Sequence, residues 1–471
     1  MNKTPFLKGF HKLFGRAKKS EARKLNSELD AIRSQGIGQL SSLFSGVVEP
    51  QKIRGHENSR NRFYSPVVTF WAMLGQAFRE SSLRDAVREV QAAFASSKHG
   101  GVDVENSTGS YSDARKRMPQ QCLDQINERI CSKMPASGSL LQGRRIMVVD
   151  ATGVQLEDTP ANQESYPQPS GQAQGCGFPV VQLVGLMNLA SGALEHVSNS
   201  PITAHEGSIF DVELFDKLVE GDILCADRGF CSYLHFAISK AKGVDVIMRL
   251  NSARPWPKGI QGEDVRIEWN RPCLSQMPEH ISEEEWNSLP DSICVRYIRK
   301  TIRRKGFRDQ SITVATTLME DENCEILEVY MRRWDIELCF DNIKTSMGME
   351  SVRAKSPAMA LKVITMHIIA YNLTREMILR SAKSTGRTIE RVSFKGAMDS
   401  ILRFASEMHN CSAQAIKQLL EKLYHSISLD IVPDRPNRIE PRVRKRRPKP
   451  FPLMTKSRLV LKAEIIDAQR A

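Results

Sequence analysis

The sequence predicts an α/β protein: a mixed five-stranded sheet with helices, a β-rich insertion, and helical N- and C-terminal regions. Three observations predict it. Residues 1–138 read as helical wherever an apolar period is visible. From 139 to 250, short β-branched runs alternate with 3.6-period segments in the order strand, strand, strand, helix, strand, helix, strand. An irregular β-rich stretch over 251–320 follows, and helical patterning then returns and persists to about 428.

The helical start rests on "SLRDAVREVQAAFASS" and on "SYSDARKRMPQQCLDQINERI", where Ser112 is suited to an N-cap. Small residues between Pro135 and Gly143 mark a boundary. "RRIMVVDAT" is short and β-branched, so it is a buried strand, with Asp150 at its end after four apolar residues. "FPVVQLVGLMNLAS" and "ALEHVSNSPIT" are two more strands, joined by a turn at Ser191–Gly192. "GSIFDVELFDKLVEG" reads as a helix, "DILCADRGF" as a buried strand closing at Asp227, "SYLHFAISKAKG" as a helix and "VDVIMRL" as the fifth strand. Further strands are expected in "DVRIEWN", "ICVRYIRKTIRRKG" and "SITVATTLM". The chain thus divides into a helical region (1–138), a core in two parts (139–250 and 321–380) around the insertion (251–320), and a helical C-terminal region with a basic tail (381–471).

Composition narrows the partners. A formal net charge of +13 favours a polyanion, nucleic acid before an acidic membrane. Basic residues cluster before Glu21, through Arg54, Arg60 and Arg62, and in "DRPNRIEPRVRKRRPKPFP", which reads as a solvated arm. The N-terminus has no apolar run of signal-peptide length, and the ten cysteines form no C-x-x-C pair, so free thiols in a cytoplasmic protein are expected. The apolar stretch 358–379 is broken by Lys362, His367, Arg375 and Glu376, which suits a buried helix and not a membrane span.

One segment combines charge and grease unusually: "YMRRWDIELCFDNIK", residues 330–344. At about 100° per residue, with Tyr330 at 0°, Arg333 falls at about 300°, Glu337 at about 340° and Lys344 at about 320°. This thin polar stripe is flanked by Ile336, Cys339, Phe340 and Ile343 on one side and by Met331, Trp334 and Leu338 on the other. A helix lining a polar cleft has that pattern; so does an amphipathic core helix with snorkelling cations. Asp341 falls near the stripe at about 20°.

Asp150 and Asp227 close the first and fourth strands, which a three-strand meander allows to be neighbours. Ligands gather beyond strand ends in open sheets. Two such carboxylates with Glu337 offer the oxygen ligands that a pair of hard divalent cations needs for phosphoryl transfer. Arg333 and Lys344 would lie nearby as phosphate holders, and Arg228 is placed to reach a phosphate or a neighbouring carboxylate.

The residues together resemble the DDE transposases of the insertion-sequence-four family. Tyr330, Arg333, Glu337 and Lys344 match the family's Tyr-x₂-Arg-x₃-Glu-x₆-Lys motif at every spacing, and "IMVVDAT" and "LCADRGFCSY" resemble its two Asp motifs. The resemblance implies an RNase H-like core, with Asp150, Asp227 and Glu337 as a triad binding two Mg²⁺ ions, for which Mn²⁺ substitutes. It implies that Tyr330, Arg333 and Lys344 contact the phosphates of transposon ends. It further implies double-stranded DNA as partner (terminal inverted repeats and target), a homodimer in a synaptic complex, nucleoid association, and cut-and-paste strand cleavage and transfer. The rival reading is an end-binding protein without catalysis. Some relatives cut through a DNA hairpin using a Trp in the strand before the signature helix; "SITVATTLM" has none.

Overall fold

A computed structural model describes residues 39–44, 46–55, 63–95, 106–134, 140–302, 310–386, 389, 391–408, 411–433 and 452–470. Most of the basic stretch before Glu21 through Arg62, including Arg60 and Arg62, and the tail at 434–451, lie outside the described residues; Arg54 is described and exposed.

Among the described residues, nine strands form one mixed sheet: β1 (Ile146–Leu156), β2 (Val180–Asn188), β3 (Leu194–Pro201), β4 (Ile223–Ala226), β5 (Asp245–Arg249), β6 (Asp264–Asn270), β7 (Ser292–Ile302), β8 (Gln310–Thr316) and β9 (Ser351–Val352). Their order is β3-β2-β1-β4-β5-β8-β7-β6, with β9 pairing β1. β1, β2 and β3 are an antiparallel meander turned at Gly192, whose φ of 68 suits glycine, while β4 and β5 run parallel to β1. That order, with a meander on one side of β1 and parallel strands on the other, is the RNase H-like arrangement. β8 pairs antiparallel with β5, so the strands of the insertion continue the same sheet.

Burial follows from the apolar runs. On one face Met147, Val149, Leu224, Ala226, Val246 and Met248 join a core with Leu234, Phe236 and Ala237 of the helix Tyr233–Ala241. On the other face Val148, Cys225 and Ile247 are fully buried too, as parallel strands covered on both sides must be. There the segment Asn323–Arg332 packs against β4 and β5, and Asp335–Asp341 packs against β1. In the insertion Trp269 is a packing residue: its indole N–H donates to Tyr297 at 2.7 Å and Arg254 lies 4.1 Å over its ring.

A second compact unit gathers the helices before Lys133 with those between Leu361 and Val432. Its helix Pro66–Arg79 starts at Ser65, which caps the backbone N–H of Val68, and buries Val68, Phe70, Leu74 and Phe78. Asn372 donates to Asn127 at 2.7 Å inside this unit. Among the described residues no helix is long and apolar enough to cross a membrane, and no disulfide joins the ten cysteines.

Four expectations are corrected. "SYSDARKRMPQQCLDQINERI" forms two helices, Gly109–Arg117 and Gln120–Ser132, because Met118 precedes Pro119 and is driven out of the helical region; Ser112 lies within the first and caps nothing. Asp150 does not end its strand: β1 continues to Leu156, its second half held by β2 and β9. "GSIFDVELFDKLVEG" is a single α-turn, Glu206–Ile209, followed by a π-turn and a 3₁₀-turn. The segment 330–344 is not one regular helix. It tightens at Arg333–Trp334, where Glu337 N–H donates to the Trp334 carbonyl three residues back, and widens into a π-turn over Asn342–Ser346.

Candidate active site

The last rung between β1 and β4 pairs Val148 with Cys225. Asp150 and Asp227 each stand two residues beyond that rung, so side-chain alternation puts both on the face of Val148 and Cys225. This is the face that Asp335–Asp341 covers. β4 stops at Ala226, and Asp227 leads into a one-turn helix, Arg228–Phe230. Asp150 stays in the ladder opposite Gly185 of β2. A Cβ at Gly185 would come within 2.9 Å of the Phe340 ring, so the missing side chain lets the segment carrying Glu337 lie close to the sheet.

The guanidinium of Arg333 joins these elements. It donates from Nη1 to Asp150 Oδ2 at 2.8 Å and from Nη2 to Glu337 Oε1 at 2.8 Å. Lys344 reaches β1 from the π-turn, donating to the Gly153 carbonyl at 3.0 Å and to Thr152 Oγ1 at 3.3 Å. A cleft of about 520 Å³ opens over the group. Its lining includes five carboxylates (Asp150, Asp227, Glu337, Asp341 and Glu350) and two cations, Arg333 and Lys344.

Burial raises the Asp150 carboxyl above its ordinary range, against the opposing hydrogen bond from Ala151 N–H and the charge of Arg333. Burial alone would lower the guanidinium of Arg333; the Glu337 hydrogen bond and the Asp150 charge prevail and hold it above its ordinary value. Burial pushes Tyr330 up to about 12, so its hydroxyl remains a proton donor at neutral pH.

The structure therefore brings Asp150, Asp227, Glu337, Arg333 and Lys344 to one cleft. Tyr330 is buried next to Arg333 and does not form part of the lining; Arg228 is exposed and also stands outside it. Of the two apolar flanks of the stripe, Ile336, Cys339 and Ile343 are in the core, whereas Met331, Trp334 and Leu338 are more than half exposed. Asp341 carried a sequence signal through its place on the stripe. Glu350, Thr152 and Thr345 carried none, since their positions depend on the pairing of β9 with β1 and on the π-turn. Among the described residues, no three of His, Cys, Asp and Glu stand close enough to hold one ion in this arrangement, where Arg333 lies between Asp150 and Glu337.

The chain is similar to known transposases. Residues 141–373 match the family described as "Transposase DDE domain". The chain is 24% identical over 318 residues to the transposase InsG for insertion sequence element IS4 of Escherichia coli (strain K12), covering 67% of this chain and 70% of that one. It is also similar, with a TM-score of 0.44 and 10% identity, to a piggyBac transposase solved by cryo-electron microscopy in a synaptic complex with hairpin DNA, covering 83% of this chain and 86% of that one.

Proposed function

The chain belongs to the DDE transposases of the insertion-sequence-four family and is a DNA transposase with nuclease and strand-transfer activity; from that premise we propose how its cleft works. The observation that carries the proposal is a charge conflict. A chain of net charge +13 lines this one cleft with five carboxylates against two cations. A DNA phosphate entering it would meet net negative charge unless cations came with it. The family works with divalent metal ions, and the donor set suits them: carboxylate oxygens are the ligands of hard cations, and a cationic group already fits between two of them.

Asp150, Asp227 and Glu337 would hold the metal, a pair of Mg²⁺ ions for which Mn²⁺ substitutes. Held by these three carboxylates, such ions would supply Lewis acidity at the scissile phosphate and would make an attacking water more acidic. The chain's own residues do the rest. Arg333 would offer its fork to a backbone phosphate, and Lys344 would add a point charge. Tyr330, protonated and buried beside Arg333, offers a hydroxyl donor and keeps that side chain in place. Arg228, exposed next to Asp227, is a further phosphate contact at the mouth.

The reaction is strand cleavage at a transposon end, which frees a 3′-hydroxyl, followed by attack of that hydroxyl on target DNA. The helical N-terminal region recognises the terminal inverted repeats, and the insertion with the segment 330–344 positions the cut strand. Two protomers pair two ends, in the cytoplasm at the nucleoid. The test is a duplex carrying the element's end, incubated with Mg²⁺ or with EDTA, with and without target DNA. Nicks that need Mg²⁺ and a joined product with target are expected. Cutting undiminished by EDTA would overturn the metal assignment, and nicks without joined product would reduce the protein to a hydrolytic nuclease.

A further inference from the structure

A second cleft, of about 390 Å³, lies within the helical unit, between the segment 52–55 and the helix Gln120–Ser132 with its preceding Pro119. Its charge is opposite to that of the active-site cleft: Lys52, Arg54 and Arg129 line it, and no carboxylate does. Gln121, Gln125 and Arg129 follow one another at four-residue spacing and so form one stripe of the helix. Asp124 and Glu128 belong to the same helix and stay outside the lining. Across the cleft, Lys52 and Arg54 flank Ile53, which is buried and anchors the segment. Cys122 fastens that segment to the helix: its sulfur accepts from the Arg54 N–H at 3.3 Å, and its thiol donates to the Lys52 carbonyl at 3.8 Å. The cations are therefore held on a fixed concave surface.

An ordinary solvated face mixes its signs, as the helix Leu83–Ala95 does with Asp85 beside Arg88. Elsewhere in the same unit Arg79 pairs with Glu89, Lys116 with Asp113 and Lys395 with Asp399. The side chains of Lys52, Arg54 and Arg129 make no hydrogen bond or ion pair among the described residues. Glu49 feels the charges of Lys52 and Arg129, but Lys133 holds its carboxylate at 3.1 Å. Like charges gathered without counter-charges repel one another, and a polyanion laid across them removes the repulsion. Resting on the reading of the chain as a DNA transposase whose helical region grips DNA, we propose that this cleft is a sequence-independent clamp for the phosphates of duplex DNA. Lys52, Arg54 and Arg129 neutralise backbone phosphates, and the amides of Gln121 and Gln125 add uncharged donors. The two clefts divide the work: the cationic one supplies affinity, the carboxylate-lined one chemistry.

The experiment titrates the full chain into two fluorescent duplexes, one carrying the element's end and one scrambled, in EDTA and over a series of salt concentrations. The triple variant Lys52→Ala, Arg54→Ala, Arg129→Ala is compared with the parent and with a control, Arg88→Ala, Lys116→Ala, Lys395→Ala. The control removes the same charge at exposed, ion-paired sites of the same unit. The cleft variant is expected to bind both duplexes about tenfold or more weakly, and its slope of log affinity against log salt to shrink by roughly two to three units. The control is expected to stay close to the parent. A second measurement needs no variant: bound duplex should suppress acetylation of Lys52, read by mass spectrometry, and leave that of Lys395 unchanged. Unchanged binding by the cleft variant, an equal loss in the control, or equal acetylation of Lys52 with and without duplex overturns the clamp and leaves the transposase reading standing. A loss confined to the end-carrying duplex overturns its independence of sequence. A parent that binds neither duplex overturns that reading, and the clamp with it.

Discussion

The two ends of the strands β1, β4 and β5 carry similar side chains to opposite effect. At the end where β1 begins, Arg144 pairs with Asp245 at 2.7 Å, and Arg145 pairs with Asp222 at 2.6 Å and Glu195 at 3.2 Å. Arg144 also donates from Nε to the Gly221 carbonyl at 2.9 Å, and Asp222 accepts from Val219 N–H at 2.8 Å. Its donors and acceptors largely meet one another, so this end is closed and structural. At the other end Arg333 makes two hydrogen bonds to two carboxylates, and carboxylates outnumber cations in the lining of an open cleft. Arginine–carboxylate pairing by itself therefore says nothing about function. The excess of unmatched acceptors, open to a ligand, separates the reactive end of the sheet from the stapled one.

That contrast can be broken at either end. The largest effect is expected from Asp150→Ala, Asp227→Ala and Glu337→Ala, each lowering Mg²⁺-dependent nicking by about 10³-fold or more. Their Tm should stay near the parent's, because the cleft end is not what holds the sheet. Parent-like cutting by all three would remove the distinction. Next, Arg145→Ala should cost about 2–4 kcal/mol of stability in urea unfolding, since it strands the buried Asp222 without its cation. Any folded fraction should still nick in a Mg²⁺-dependent way.

A smaller effect concerns acid. Burial, then the charges of Lys217 and Arg145, push the His196 imidazole down to about 4 from 6.5. Between those values the unfolded chain binds the proton and the folded chain does not. Stability present above pH 6.5 is accordingly lost as the pH falls towards 4, and below that no more is lost through this group. His196→Gln should reduce the loss over that interval by about 1–2 kcal/mol, less than the full linkage because the ring is partly exposed. An unchanged acid profile would exclude the histidine from the stapled end's pH response. The smallest effects are expected from Arg333→Ala and Lys344→Ala. Each should weaken end binding and lower the slope of log affinity against log salt by roughly one unit. An unaltered slope would assign both cations to packing.

Much of this was legible in the chain. Every apolar β-branched run between Ile146 and Arg249 became a strand, because burial on both faces needs continuous apolar residues whatever their neighbours. Tyr330, Arg333, Glu337 and Lys344 were found by spacing alone, since spacing within one segment is a local property. Pro119 is the local signal of the break between Arg117 and Gln120, and the apolar period on either side of it masks that signal. The full length of β1 was not legible: nothing in "ATGVQL" announces that β2 and β9 will hold it extended past Asp150.

By itself the sequence determined the chemical inventory: which segments are apolar enough to be buried, which carboxylates and cations exist, and the spacing that marks the family. The tertiary structure alone decided which charges meet. The common register of Asp150 and Asp227, the tightening at Arg333–Trp334, the π-turn under Lys344 and the stapling by Arg144 and Arg145 come from pairings between residues far apart in the chain. The reason is physical. Burial free energy is approximately a sum over residues and can be read along a chain, whereas electrostatic energy depends on distances that exist only after folding.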